Sequence, residues 1–343
     1  MKAIVENTPL FTVFLPSYNG GAFLREAVRS VLAQTFRAWE LIILDDGSTD
    51  GSVEWLQSLD EPRLQVLESA HIGIVENWRR SLQIDKAVWM TFLGQDDVFD
   101  ANFLETVAGL IAQHPDADVF HAHFRFIDQN GKLLRSCCAM PERETASEYI
   151  AALFSDARDT YGTGYILRSE KYDAIGGISP WERLLFADDA LWISVMRGSH
   201  KITSSRECFA CRLHHKSVSG SPPWRSWANA MKNYILFLQQ LGESDEAIHR
   251  VLDAHAPNYF LRWCRNVYNL ALMQATKANR RVKPDAAQIL VARLEQVQKG
   301  LGAQLRNSRS VRLRETINRV AVLRGLYRTY IRLRYGKHHL KNS

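Results

Sequence analysis

No apolar run in the 343 residues approaches the ~18–20 needed for a helical membrane span. The opening "MKAIVENTPLFTVFLP" lacks a basic stretch followed by a cleavable apolar one, so no signal peptide is expected. There is no internal repeat and no low-complexity tract, which excludes solenoids and collagen-like arrays. Cysteine is scarce: Cys137, Cys138, Cys208, Cys211 and Cys264. An odd, widely spaced set does not make a disulfide framework and suits a reducing cytosol. Cys208, Cys211, His214 and His215 do spell C-x-x-C-x-x-H-H. However, Cys208 and Cys211 would point to opposite faces of a strand, and no second ligand pair stands at finger spacing, so zinc is not expected. His121 and His123 of "HAH" read as strand-face histidines. After Pro16 the chain runs "SYNGGAFLREA", without the glycine-lysine spelling of a P-loop.

What is present is alternation. "FTVFL" (11–15), "LIILDD" (41–46), "RLQVLE" (63–68) and "VWMTFLGQDD" (88–97) read as strands. Between them lie helical stretches: "GAFLREAVRSVLAQ", "DGSTDGSVEWLQSL", with Ser48, Thr49 and Asp50 as capping candidates, and "VENWRRSLQI". A βαβαβαβ run predicts an α/β, doubly wound, mostly parallel sheet with helices on both faces. Asp100 is a candidate cap for a helix over 101–113. Next come a hairpin around Asn130-Gly131, a strand and short helix in "YILRSEKYDAIGG", and a helix leading to an edge strand in "LLFADDALWISVMRGSHKITSS". Beyond "SPPW" (221–224) the pattern is helical. Two domains are expected, 1–220 and 221–343, the second a helical C-terminal region.

Three acidic pairs fall at element ends: Asp45-Asp46, Asp96-Asp97 and Asp188-Asp189. The first two close strands of one parallel sheet, which brings them to one edge. Converging carboxylates need a cation, a ribose hydroxyl or a proton to relieve repulsion. A nucleotide-and-metal cleft at the carboxyl edge of the sheet meets that need.

Five stretches in order resemble the motifs of glycosyltransferase family 2, of GT-A fold. They are "FLPSYNGGAFLREAVRSVLAQTFRAWELIILDDGSTDGS", "HIGIVENWRRSL", "FLGQDDVFD", "FADDALWISVMRGSHKI" and "CRLHHKSVS". The resemblance spans roughly 9–220. It implies a Rossmann-like GT-A sheet and an inverting, metal-dependent transfer of a sugar from a nucleotide-sugar, UDP-linked by expectation. The acceptor would be a glycan or lipid-linked hydroxyl in cell-surface polysaccharide synthesis. Pro16, Ser17 and Tyr18 would line the base pocket, and Asp46 would bond the base or ribose. Asp96 would face the ribose, and Asp97 would reach the Mn²⁺ or Mg²⁺ ion. Asn77 and Arg212 would steady the diphosphate or the site walls, and His214 would touch the metal or leaving group. Asp189 resembles the catalytic base, with Asp188 where Glu is common. One departure from the family is Gly94-Gln95, where many members carry a further Asp before this pair. The rival readings are a nucleotidyltransferase and a catalytically inactive nucleotide-sugar-binding module.

Net charge is +6, but eleven Lys or Arg crowd the segment from Arg306 onward against one acid, Glu315. In "RSVRLRETINRVAVLRGLYRTYIRLRY" one face can gather Leu313, Ile317, Val320, Leu323, Tyr327, Tyr330 and Ile331. Either this helix packs on the protein, or it lies on an anionic membrane surface. A nucleic-acid partner is not expected, since no recognition fold accompanies the tail. The expected location is cytoplasmic, with the tail a candidate for peripheral attachment to the inner face of the membrane.

Overall fold

The computed structural model describes residues 8–159, 161–214, 222–278 and 285–335. The chain divides into two compact units, Met1–Gly220 and Ser221–Ser343.

The first unit opens with β1 (Phe11–Ser17), α1 (Gly21–Leu32), β2 (Trp39–Asp45), α2 (Ser52–Gln57), β3 (Leu64–Leu67), α3 (Ile74–Arg79) and β4 (Trp89–Phe92). β1 pairs in parallel with both β2 and β4, and β2 with β3. β1, β2 and β4 are buried on both faces and their apolar residues are nearly continuous, as a two-sided parallel sheet requires, while β3 at the sheet edge is only partly buried. α1 buries Leu24, Ala27, Val28 and Val31, a helical stripe set against the strands.

The unit continues with β5 (Val98–Phe99), α4 (Phe103–Gln113), β6 (Val119–Ile127), β7 (Leu133–Ser136), β8 (Arg143–Glu144), α5 (Ala146–Phe154), β9 (Ile166–Arg168), α6 (Ser169–Ala174), α7 (Ala187–Met196) and β10 (Lys201–Arg212). The sheet runs β3-β2-β1-β4-β9-β6-β10-β5, with β7 on β6 and β8 on β10. β9 is antiparallel to both neighbours, while β6 and β10 are parallel to each other. The expected hairpin is β6–β7, turning at Asp128–Gly131.

Two local readings are corrected. β10 is not an edge: it lies between β6 and β5, so its cysteines are buried in the core. Asp100 does not cap α4, whose N-cap position is Asn102. Its carboxylate instead grips the Arg125 guanidinium by two bonds of 2.8 and 2.7 Å, a paired geometry that outcompetes a single cap bond.

The second unit is helical: α8 (Trp224–Ser244), α9 (Glu246–Lys277), α10 (Asp285–Val297), α11 (Leu301–Asn307), α12 (Arg309–Arg319) and α13 (Ala321–Tyr335). Asp245 caps α9 by accepting from the Ala247 and Ile248 amides. The predicted tail face is split. Ile317 and Tyr327 pack on a cluster of Ala271, Leu272 and Ala286, and Ile331 is buried. Leu313, Val320 and Tyr330 are exposed, as are Val322 and Leu326. Among the described residues no helix is long and apolar enough to cross a membrane. Lys337 and Lys341 lie outside the described residues, as do the Arg332 and Arg334 side chains.

Candidate active site

The carboxyl ends of β1, β2 and β4 meet at one edge, and their loops are tied together. The Tyr18 amide donates to Gln95 Oε1 at 2.9 Å, with the Ser17 hydroxyl 3.3 Å from the same oxygen. Gln95 thus latches the end of β1 to the end of β4, and Pro16 and Ser17 are buried beneath the latch. A Cβ on the adjacent Gly94 would fall 2.5 Å from Asp97 Oδ2 and 3.1 Å from Asp96 Oδ1. Position 94 therefore has no room for a side chain.

Each strand-end carboxylate is compensated separately. Asp45 turns back into its own loop, accepting from the Gly47 and Ser48 amides at 3.0 and 2.9 Å and from the Ser48 hydroxyl. Asp46 is buried too. Its oxygens accept from the Ile72 amide at 2.7 Å and the Gly73 amide at 3.0 Å, and His71 Nδ1 lies 2.9 Å from Oδ2. Asp46 thereby fixes the loop that presents His71. The His71 ring is exposed and stacks on Tyr18, with centroids 4.3 Å apart and planes at 25°. Tyr18, 44% exposed, is the one predicted base-pocket residue that opens to solvent.

Asp96 and Asp97 diverge. Asp97 is 1% exposed and accepts from the Tyr161 hydroxyl (2.8 Å), the Thr163 hydroxyl (2.8 Å) and the Arg212 amide (3.0 Å). Burial, and secondarily the adjacent Asp96 charge, push its pKa up to about 7. Its oxygens are committed to these interior donors. Asp96 is the outward member, with Oδ2 2.6 Å from His214 Nε2. The His214 ring lies 5.0 Å from that of Phe23. His215 lies outside the described residues.

Asn77 and Arg212 are buried, and in this structure both brace the walls of the site. The Asn77 amide donates to the Leu44 carbonyl at 2.7 Å and its oxygen accepts from Arg80. Arg80 in turn bonds the carbonyls of Asp45 and Leu67, locking the ends of β2 and β3. Arg212 donates to the Asp96 carbonyl at 2.9 Å, pairs with Glu26 and lies over the Phe23 ring. It fixes the end of β10 against the acidic loop.

The third acidic pair begins α7. The chain enters this helix through three left-handed residues, Arg183 (φ 58°), Leu184 (φ 59°) and Phe186 (φ 62°), a strained approach of the kind that aims a helix start. Asp189 is buried and accepts from the Tyr149 hydroxyl at 3.0 Å. Asp188 is only half-buried. A Cβ on Gly162 would fall 3.2 Å from Asp188 Oδ2. The segment Tyr161-Gly162-Thr163 therefore touches Asp188 through its centre and Asp97 through both flanks. Burial pushes the Asp188 pKa up to about 6 and also drives Asp189 well above the usual carboxylate range, its neighbour's charge adding to the effect.

Gln95 and Arg80 complete the site from inside the motif stretches, where the sequence assigned them no role, and Tyr149, Tyr161 and Thr163 complete it from outside those stretches.

The donor set suits a hard cation only in part. Among the described residues no three His, Cys, Asp or Glu side chains converge on one point. Asp96 and His214 supply two donors, which fits an ion such as Mg²⁺ or Mn²⁺ that keeps waters and takes substrate oxygens.

Residues 12–176 match the sequence model of the family described as Glycosyl transferase family 2. The putative teichuronic acid biosynthesis glycosyltransferase TuaG of Bacillus subtilis is 26% identical over 235 residues, 67% of this chain and 87% of its own length. Glycosyltransferase GlyG of Streptococcus pneumoniae is 32% identical over 124 residues, 35% of this chain and 41% of that protein. Among solved structures, residues 1–349 of S. aureus TarS, crystallised with UDP-GlcNAc, superpose with a TM-score of 0.59 at 15% identity, covering 87% of this chain and 91% of that one. At that identity the likeness is one of fold. A parallel sheet with acidic strand ends, the ordered motifs and these matches agree: residues 12–176 form a family 2 glycosyltransferase domain, a transferase domain within a first unit of GT-A fold.

Proposed function

We propose that this enzyme moves a sugar from a UDP-linked donor to a hydroxyl of a glycan or lipid-linked acceptor in cell-surface polysaccharide synthesis. The observation that carries the reading is the Tyr161-Gly162-Thr163 segment, which puts Asp188 next to the acidic end of β4. Asp188, not Asp189, is the base: it is half-buried where Asp189 is buried, raised toward neutrality, and its carboxylate lies against the glycine of that segment. It takes the proton of the acceptor hydroxyl. The acceptor oxygen attacks the anomeric carbon opposite the diphosphate, so the configuration inverts. Tyr18 and His71 hold the base, the imidazole fixed by Asp46. Asp96 and His214 hold the divalent ion. When bound, that ion offsets the charge gathering on the departing nucleotide. The description of TuaG as a teichuronic acid biosynthesis glycosyltransferase and the UDP-GlcNAc in the TarS crystal support the choice of donor and product class.

A melting series with UDP, GDP and ADP, each with and without Mn²⁺, tests the donor. UDP with Mn²⁺ at a hundred times its Kd is expected to stabilise the protein by about 2.7 kcal/mol, a rise of several degrees. Indifference to all three nucleotides would end the proposal. Binding without UDP release from UDP-sugars in the presence of acceptor extracts would favour the inactive module instead.

The second unit adds a location. α12 exposes Arg309, Arg312 and Arg319 beside Leu313 and Val320, and α13 continues with Val322, 72% exposed, and Leu326, 64% exposed. Cations beside unpartnered apolar side chains complement an anionic bilayer, where each Lys or Arg contributes about 1 kcal/mol. Because Val311 and Ile331 are buried, deleting the tail would open the unit, and substitution is the cleaner test. Val322→Glu with Leu326→Glu is expected to abolish most sedimentation with phosphatidylglycerol vesicles at unchanged melting temperature. Binding by the parent chain should also fall with added salt. Vesicle binding that survives both treatments would remove this surface as the anchor.

A further inference from the structure

Behind the acidic pair of α7 lies a buried ionic cluster that proton transfer at Asp188 does not by itself require. Glu144 of β8 holds Lys201 Nζ of β10 at 2.6 Å on the same oxygen that pairs with Arg158. All three side chains are buried. The Lys201 ammonium lies 5.4 Å from the Tyr149 ring centre and 5.5 Å from that of Tyr165, and the Arg158 guanidinium 4.9 Å from Tyr149. Tyr149 therefore stands between two cations and the Asp189 carboxylate, to which its hydroxyl donates at 3.0 Å. Two cations against one carboxylate leave a positive excess, and burying it is costly unless a further anion lies near.

We propose that Tyr149 is a positioning residue for sugar transfer: its hydroxyl holds Asp189 toward the buried Lys201–Glu144–Arg158 cluster, whose positive excess keeps the Asp188–Asp189 pair able to ionise beside the acceptor. The proposal rests on the reading of Asp188 as base. The pair is faced by Tyr149 from α5 and by Arg158 from the segment after α5, while Lys201 of β10 and its partner Glu144 of β8 stand behind the Tyr149 ring. Tyr165 sits just before β9, with His121 of β6 meeting its ring at 4.0 Å. α6 also packs on α7 but turns its charges away, Lys171 to Asp118 and Asp173 to Lys86. Adjacent carboxylates titrate as a pair. Donors and cations beside them favour the ionised form, so their loss raises the apparent pKa. Burial lowers the Lys201 pKa to about 8, so its charge is present through the acid limb of the rate profile.

The experiment is kcat against pH for the parent chain, Tyr149→Phe and Lys201→Met, with UDP release as the readout and donor Kd and melting temperature measured alongside. Phenylalanine keeps the ring against which both cations sit. The acid limb is expected to move up by about one pH unit in Tyr149→Phe and in the same direction in Lys201→Met, with donor Kd unchanged and kcat recovering at high pH. A purely structural role would lower melting temperature or kcat at every pH and leave the limb in place. An unmoved limb in both variants overturns the proposal. Asp188→Asn run in parallel separates the two claims. Full activity there sinks the base assignment, whereas loss there with an unmoved limb in Tyr149→Phe sinks only the positioning role.

Discussion

Asp188→Asn is expected to lose transfer by about 10²–10⁴-fold while binding a UDP donor as the parent chain does. The carboxamide keeps the size and shape of the side chain but cannot take a proton from the acceptor. Donor affinity is held elsewhere, at the Tyr18–His71 stack and the Asp96–His214 pair, so kcat and donor Kd should separate. Asp189→Asn is the contrast. An amide oxygen can still accept from the Tyr149 hydroxyl, and the residue is buried rather than open. Its loss should be smaller and should show mainly as a changed pH profile. Single-turnover transfer at saturating donor measures both. A fully active Asp188→Asn, or a complete loss confined to Asp189→Asn, would return the base to the position suggested by the motif.

The difference between those two aspartates shows what a sequence can carry. Apolar periodicity and short turns were enough for the β1–β4 run, because parallel strands and their helices are specified locally. They were also enough to bring the acidic ends to one edge. Which member of an adjacent pair turns inward is another matter. Asp97 is claimed by Tyr161 and Thr163, more than sixty residues away, and by the Arg212 amide, 115 residues on. Asp189 is claimed by Tyr149, forty residues back. Neighbouring residues at a strand end or in a first helical turn point in different directions, and a one-residue change of register swaps the two. The same holds for Asn77 and Arg212. Polar residues inside motifs invited a reading as ligand contacts, yet their donors serve backbone carbonyls at Leu44 and Asp96. Buried strand-end carbonyls need partners as much as substrates do. His71 lay within a quoted motif, but its relevance depends on a stack with Tyr18 across two loops.

Asp97→Ala should therefore behave as a lesion of stability, and Asp96→Ala as a lesion of binding. The Asp97 carboxylate has no access to water and receives three donors. Its space is also tightly bounded, since even a Cβ on Gly94 would overlap it. Alanine would strand the Tyr161 and Thr163 hydroxyls and the Arg212 amide, and each unmatched buried donor costs about 1–3 kcal/mol. Part of that is recovered, because the protein no longer buries a carboxylate, itself unfavourable. A net loss of about 3 kcal/mol lowers the melting temperature of a unit this size by roughly 6–12 °C. Asp96 is different: its side chain is 21% exposed and its partner is His214. Alanine there removes one partly exposed carboxylate, so the fold should melt within about a degree or two of the parent. What Asp96→Ala removes is half of the two-residue donor set for the divalent ion. The Mn²⁺-dependent part of the UDP-induced stabilisation should vanish in this variant and persist, from a lower starting temperature, in Asp97→Ala. Scanning calorimetry of both variants with and without UDP and Mn²⁺ distinguishes the cases. If Asp97→Ala melts like the parent and loses only its response to Mn²⁺, the carboxylate faces the ion after all and the two roles must be exchanged.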